Sequence, residues 1–74
     1  MTHVLDVKGL ACPLPVLRAK KAMREVPAGE ILTVLATDPG AVRDFDEFCR
    51  ATGHSLVDHA ADAGVFTFHI RKKG

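Results

Sequence analysis

Tryptophan and tyrosine are absent from this chain, and phenylalanine occurs only four times. Aromatic side chains are the usual stacking platform for bases in RNA-recognition and single-strand-binding domains, so recognition of that kind is poorly supported. A large excess of one charge is also missing, because ten Lys and Arg residues face nine Asp and Glu residues and leave a net charge of +1. These numbers exclude a nucleic-acid binder driven by bulk positive charge.

Long apolar runs are missing as well. The longest useful run, Ile31 to Ala36, is interrupted by Thr33, and a membrane span needs about 18 apolar residues. The stretch Met1 to Asp6 has no basic segment followed by an apolar one, so we expect no secretory signal and a cytoplasmic protein. In a reducing compartment the two cysteines are expected to be free, either reactive or buried.

What is present suits one small globular domain over residues 1–74. Apolar residues make up 47% of the chain and charged residues 26%, which is an ordinary globular balance. Strand-like runs occupy 4–7, 30–37, 55–59 and 66–71. Apolar residues at helical spacing indicate two helices, over 13–26 and 41–52. The predicted apolar stripes are Val16, Ala19, Met23 and Val26, widened by Leu17, and then Ala41, Val42, Phe45, Phe48, Cys49 and Thr52.

The order of these elements predicts an α+β fold. We expect a two-layer α/β sandwich, βαβαββ, with two helices packed on one face of a four-stranded mixed sheet. Asp38-Pro39-Gly40 is a sequence typical of a turn, and Asp38 could also cap the second helix. Residues 61–64 are expected to form a hairpin turn, and Gly53 to end the second helix in a left-handed cap.

Cys12 is the strongest candidate for chemistry. The sequence places it just before Pro13, and proline is favoured at the first position of a helix. As N-cap residue, Cys12 would lie at the positive end of the helix dipole, which lowers a thiol pKa and favours the thiolate. Pro15 removes another N–H from the first turn and weakens that effect. The alternative is a small buried cysteine in a proline-rich turn.

The segment from Asp6 to Pro15 resembles the signature of the TusA family, also called the SirA, YedF or YeeD family. That signature is a Gly-Leu-x-Cys-Pro-x-Pro turn opening the first helix, and this chain has Gly9-Leu10-Ala11-Cys12-Pro13-Leu14-Pro15. The Thr37-Asp38-Pro39 turn, the pairs Asp44-Phe45 and Phe48-Cys49 in the second helix, and the basic C-terminal residues are also similar to the family. The resemblance covers essentially the whole chain and implies Cys12 as the reacting residue, with Gly9, Pro13 and Pro15 supporting its turn.

The resemblance implies a small sulfur-carrier protein. Cys12 would accept sulfane sulfur as a persulfide from a cysteine desulfurase or a rhodanese-like donor and hand it to a sulfur-accepting protein. Such a protein is a sulfurtransferase-type relay rather than a self-sufficient enzyme. Its pathway would be tRNA thiolation, molybdenum-cofactor synthesis or sulfur oxidation. No cofactor, direct nucleic-acid contact or membrane partner is expected.

Other side chains offer weaker hypotheses. A basic face of the first helix is a candidate partner-binding surface, although such runs are usually only solvated; it comprises Arg18, Lys20, Lys21 and Arg24. Cys49 shares a helical face with core residues and is expected to be structural. The four histidines fit no metal-ligand spacing. Two rival functions stay open, a regulatory or RNA-associated binding module and a thiol redox protein that pairs Cys12 with Cys49.

Overall fold

The computed structural model describes residues 3–74. Met1 and Thr2, which belong to the stretch used to judge the absence of a secretory signal, lie outside the described residues. The elements are β1 (His3–Val7), α1 (Leu14–Met23), β2 (Ile31–Ala36), α2 (Ala41–Thr52), β3 (Ser55–Asp62) and β4 (Val65–Arg71). This order confirms the predicted βαβαββ sequence of elements. Within residues 3–74, neither helix has the length and apolar run that crossing a membrane requires.

The four strands form one mixed sheet in the order β1-β2-β4-β3. β1 and β2 are parallel, which requires a crossover connection, and α1 supplies it. β4 pairs antiparallel with both β2 and β3. In this register Val34 lies opposite Leu5 on one side and Phe68 on the other. The predicted mixed sheet is therefore confirmed.

Both helices cover the same face of the sheet. α1 packs against β1 and β2, and α2 packs against β3 and β4. Alternate residues of the central strands turn toward the helices because side chains alternate along a strand, and Leu32, Val34 and Phe68 are accordingly buried. The rings of Phe45 and Phe68 lie 4.7 Å apart between centroids and join α2 to the sheet. This contact lies at the centre of the core.

Four local expectations differ from the structure. α1 ends at Met23 rather than at residue 26. Leu17 does not widen the buried stripe of α1, since 53% of its surface is exposed. β3 continues to Asp62 instead of ending near His59, because backbone pairing with β4 extends the strand where its side chains are nearly all exposed. Asp38 does not cap α2, whose N-cap residue is Gly40 and has no side-chain hydrogen bond. Gly53, at φ 84°, ends α2 in the expected left-handed conformation.

The hairpin between β3 and β4 turns through Ala63 and Gly64, as residues 61–64 predict. Both have positive φ, 51° and 81°, which is the geometry of a type I′ turn. Glycine adopts this conformation freely, whereas the Cβ of alanine crowds the following carbonyl oxygen. Ala63 is therefore a strained position in an exposed turn.

Replacing Ala63 by asparagine should stabilise the protein. Asparagine tolerates positive φ and is the preferred partner of glycine in this turn, so we expect the free energy of unfolding to rise by about 1 kcal/mol. Urea denaturation followed by circular dichroism measures the change. The matched control is Ala61→Asn in the extended strand β3, which should be neutral or slightly destabilising. An equal effect of both variants would contradict the assignment of strain to Ala63.

Candidate functional site

The two thiols of the chain lie in opposite environments. Cys12 is exposed in the loop between β1 and α1, whereas Cys49 is buried on the inner face of α2 with 6% of its surface exposed. The expectation that Cys49 belongs to the core is therefore confirmed. Burial also raises the pKa of the Cys49 thiol, with a smaller effect from the Asp46 charge. Only Cys12 presents its sulfur to a reactant in the folded chain.

The loop that carries Cys12 is held by the turn after β2. The backbone N–H of Cys12 donates to Oδ2 of Asp38 at 3.0 Å. The N–H of Gly9 donates to Oγ1 of Thr37 at 2.9 Å. The two turns are neighbours because β1 and β2 are parallel, so their carboxyl ends meet at one edge of the sheet. Two hydrogen bonds that span 26 and 28 residues therefore fix the loop in place.

Local features of the chain also shape the turn that carries Cys12. Asp6 accepts a hydrogen bond from the N–H of Lys8 at 2.9 Å and so stabilises this turn. Gly9 has φ 82°, a conformation that favours glycine. Pro13 is exposed, and Pro15 is fully buried in the first turn of α1. The predicted supporting residues thus surround Cys12 on both sides along the chain.

The prediction that Cys12 caps α1 is wrong. The helix begins at Leu14 and its N-cap residue is Pro13, so Cys12 lies one residue further out. Neither Pro13 nor Pro15 has an N–H to aim at an anion, and the N–H of Cys12 is bound to Asp38. The positive end of this helix consequently gives the sulfur little stabilisation.

The prediction of a lowered thiol pKa is also wrong. The Asp44 carboxylate, which hydrogen-bonds the thiol, raises the pKa of Cys12 above its ordinary value of 9.0. Partial desolvation and the negative charges of Asp44, Asp38 and Glu47 act in the same direction. Each effect favours the neutral thiol over the thiolate. The free protein therefore holds Cys12 mainly as a thiol at neutral pH.

The donor atoms of Cys12, Asp38 and Asp44 all lie within 4.8 Å of one another. Among residues 3–74 this is the single group of Cys, His and acidic residues compact enough to share a metal ion. Exposed acidic groups often reach such spacing without a metal, so we take the distance as a measure of how closely the carboxylates approach the sulfur. Sequence reasoning missed both carboxylates as site residues, because only the strand pairing brings them beside Cys12. The Thr37-Asp38-Pro39 turn was the feature of the sequence that could have pointed to Asp38 as a site residue.

A groove of about 380 Å³ runs from Cys12 between the two helices. One wall comes from α1 and the other from α2, and most of the surface that lines the groove is apolar. The residues that line it include Cys12 and Pro13 at one end, then Val16, Leu17 and Lys20 from α1 and Asp44, Glu47, Phe48, Ala51 and Thr52 from α2. The sulfur thus lies at one end of a shallow, mostly apolar groove.

The four basic side chains predicted to form one face of α1 point in different directions around the helix. All four side chains are exposed, but of these only Lys20 lines the groove with Cys12. Arg18 and Lys21 line a separate depression beside Leu5. A rotation of about 100° per residue accounts for this, since Arg18 and Lys20 point to opposite flanks. The charge nearest to the sulfur is acidic, and the basic charge lies farther away.

The histidines are dispersed among separate contacts. His3 Nε2 and Glu30 Oε1 form a hydrogen bond of 2.8 Å, and His54 accepts a hydrogen bond from the backbone N–H of Lys73. His69 contacts Asp58 on the exposed face of the sheet, and His59 stacks on Phe68. No two of the described histidines join Cys12 in one cluster.

The pH dependence of alkylation tests the electrostatics of Cys12. With the neutral reagent iodoacetamide, the rate should rise with pH around a midpoint above the ordinary pKa of a cysteine thiol, because the thiolate is the nucleophile. Asp44→Asn removes the first cause of the raised pKa, so the midpoint should fall and the rate at pH 7 should increase. Asp46→Asn, which removes an exposed carboxylate from the same helix, should change neither. A wild-type midpoint at or below the ordinary value would contradict the carboxylate effect.

Comparisons with known proteins give one consistent result. A profile of the family described as Sulfurtransferase TusA matches residues 3–72. The chain is 50% identical over 68 residues to the sulfur carrier protein TusA of Allochromatium vinosum, covering 92% of this chain and 90% of that one. It is 47% identical over 70 residues to the sulfur carrier protein TusA of Pseudomonas putida, covering 95% and 88%.

A solved structure gives the same result for the fold. The SirA-like protein of Desulfitobacterium hafniense superposes with a TM-score of 0.83 at 30% identity, and the match covers 100% of both chains. The family match spans nearly the whole sequence, and the fold agrees over its full length. This chain belongs to the TusA family of sulfurtransferases.

Proposed function

We propose that this protein is a cytoplasmic sulfur carrier that holds sulfane sulfur as a persulfide on Cys12, within a single domain over residues 1–74. The observation that carries the proposal is the placement of the two thiols, one exposed in a braced loop and the other buried in the core. The names of the relatives, which are sulfur carrier proteins, support it. Gly9, Pro13 and Pro15 would shape the turn that presents the sulfur.

The transfer conserves sulfur and electrons without an outside oxidant. The Cys12 thiolate attacks the outer sulfur of a donor persulfide R–S–SH, a new S–S bond forms on Cys12, and the S–S bond of the donor breaks. The donor leaves as R–S⁻ and takes up the proton that Cys12 has lost. The products are a Cys12 persulfide and a donor thiol. Delivery to an acceptor thiol repeats the same exchange with Cys12 as the donor.

The buried position of Cys49 favours a carrier over a thiol redox protein. A second accessible thiol beside Cys12 would attack the persulfide, form a disulfide and release sulfide. In the folded chain Cys49 is buried on the inner face of α2, so its sulfur could reach Cys12 only if the core opened. The persulfide would therefore survive until a partner thiol arrives.

The partners of such a carrier are proteins on both sides of the exchange. A cysteine desulfurase or a rhodanese-like protein would load Cys12, and a sulfur-accepting protein of tRNA thiolation, molybdenum-cofactor synthesis or sulfur oxidation would unload it. We retain the exposed side chains of α1 as candidate partner contacts, with Lys20 closest to the reacting end; they are Arg18, Lys20, Lys21 and Arg24.

Intact mass after incubation with a persulfide donor tests the assignment. With cysteine persulfide, the protein should gain about 32 Da for each sulfur atom and lose it on reduction, because thiol–disulfide exchange is reversible. Cys49→Ser should load like the wild type. Cys12→Ser should not load, and persistent loading of that variant would reject Cys12 as the carrier residue.

A further inference from the structure

The groove beside Cys12 is built from two matching helix ridges. α1 contributes Val16, Leu17 and Lys20, and α2 contributes Asp44, Glu47 and Phe48. Counted from Pro13 on α1 and from Asp44 on α2, the lining positions fall at i, i+3, i+4 and i+7, so each helix turns a continuous edge toward the other. The middle of the groove is apolar and open, and Leu17 keeps 53% of its surface exposed there. Phe48, with 7% exposed, contributes from the opposite helix.

The two ends of the groove carry opposite charge. Both helices connect parallel strands, so α1 and α2 run in the same direction across the sheet. Asp44, in the first turn of α2, lies at the end where Cys12 is found. Lys20 is seven residues beyond Pro13, about 10 Å farther along α1 at 1.5 Å per residue. A ligand lying along the groove therefore meets negative charge at the sulfur and positive charge two turns away.

We infer that this groove docks a segment of the protein that exchanges sulfur with Cys12, and that the segment has a basic residue beside its exchanging sulfur and an apolar side chain against Leu17 and Phe48. The inference rests on the proposed carrier function and names the chemistry of the partner at the same site. Charge complementarity with Asp44 selects the basic residue, and Glu47 adds less because its carboxylate already pairs with Arg43 at 3.2 Å. The length and apolar middle of the groove select a peptide segment rather than a small anion.

Docking of this kind would also activate the nucleophile. The Asp44 carboxylate, within 4.8 Å of the sulfur, favours the protonated thiol over the thiolate. A lysine or arginine that pairs with Asp44 would oppose the negative charge around the sulfur, which favours the thiolate. Small anionic disulfides and persulfides bring no such cation and are repelled by the same carboxylates. The carrier would thus react with the correct partner faster than with anionic metabolites.

Charged disulfides measure this selectivity directly. Cys12 attacks one sulfur of R–S–S–R, the old S–S bond breaks, R–S⁻ leaves and Cys12–S–S–R forms. The probes are dicationic cystamine, dianionic 3,3′-dithiodipropionate and neutral 2-hydroxyethyl disulfide, with each rate divided by the rate of the same reagent on free cysteine. The normalised cation-to-anion ratio should be about tenfold at low salt and should shrink as salt is added. Any change in thiol pKa cancels in the ratio.

Variants connect the ratio to the groove. Asp44→Asn with Glu47→Gln should lower the ratio severalfold toward one, and the remaining Asp38 carboxylate should keep a small residual preference for the cation. Asp46→Asn is the matched control, since Asp46 is exposed on α2, pairs with Arg50 at 3.1 Å and does not line the groove. A wild-type ratio near one, or a ratio that salt does not change, would overturn the inference even if the double variant failed to fold.

A peptide disulfide tests the apolar part. The probe is a short peptide with cysteine next to arginine and a leucine three residues away, activated as its 2-thiopyridyl disulfide. Leu17→Ser should slow its reaction about fivefold, which corresponds to losing part of one buried leucine contact, while the cystamine rate stays unchanged. Equal slowing of both reagents, or of neither, would reject the apolar contact.

These outcomes separate the docking inference from the carrier function. A protein that retains sulfane sulfur on Cys12 but shows no charge preference would remain a carrier without this docking site. A protein that prefers cystamine but never acquires sulfur from a persulfide would keep the groove and lose the proposed function.

Discussion

The parallel pairing of β1 with β2 is the constraint on which the site depends. It places the loop after β1 beside the turn after β2, where Thr37 and Asp38 accept hydrogen bonds from the N–H groups of Gly9 and Cys12. Loop backbone near the surface must satisfy its N–H groups with some partner, and here side chains of the neighbouring turn supply it. The position of the sulfur is thus set by the sheet rather than by the helix that follows it.

The same pairing gives the site an unexpected electrostatic character. A carboxylate that braces the loop also adds negative charge near the thiol, and Asp44 of α2 adds more because its helix starts at the same edge of the sheet. The structure therefore combines a firmly held loop with a thiol that stays protonated. In a carrier, low reactivity in the free state is an advantage, because the sulfur should react inside a protein contact and not with every electrophile in solution. Activation then falls to the partner.

Sequence reasoning predicted the fold and singled out Cys12 as the candidate residue, but it misjudged the environment of Cys12. The apolar period of α2 is strong, so the sequence predicts Phe45 on the buried face of that helix, and the structure confirms it. Leu17 was misplaced, because its position at the edge of the stripe turns it toward the interhelical groove. The pKa of Cys12 was misjudged because a local pattern shows the helix end and the prolines but not carboxylates 26 and 32 residues away. Long-range pairing decides those contacts, and a single sequence does not display it.

The fold restrains the reactivity of its two cysteine thiols by two different physical means. Both thiols have a raised pKa, but Cys49 is restrained by burial and Cys12 by neighbouring carboxylates. Burial is relieved only when the core opens, at a cost comparable to unfolding part of the domain. A carboxylate at an exposed site is neutralised by one cation brought by a docking protein, at no cost to the fold. Restraint by burial is therefore permanent on the time scale of a transfer, whereas restraint by charge is reversible. A carrier needs reversible restraint by charge on the cysteine that must react, and permanent restraint by burial on the cysteine that must not.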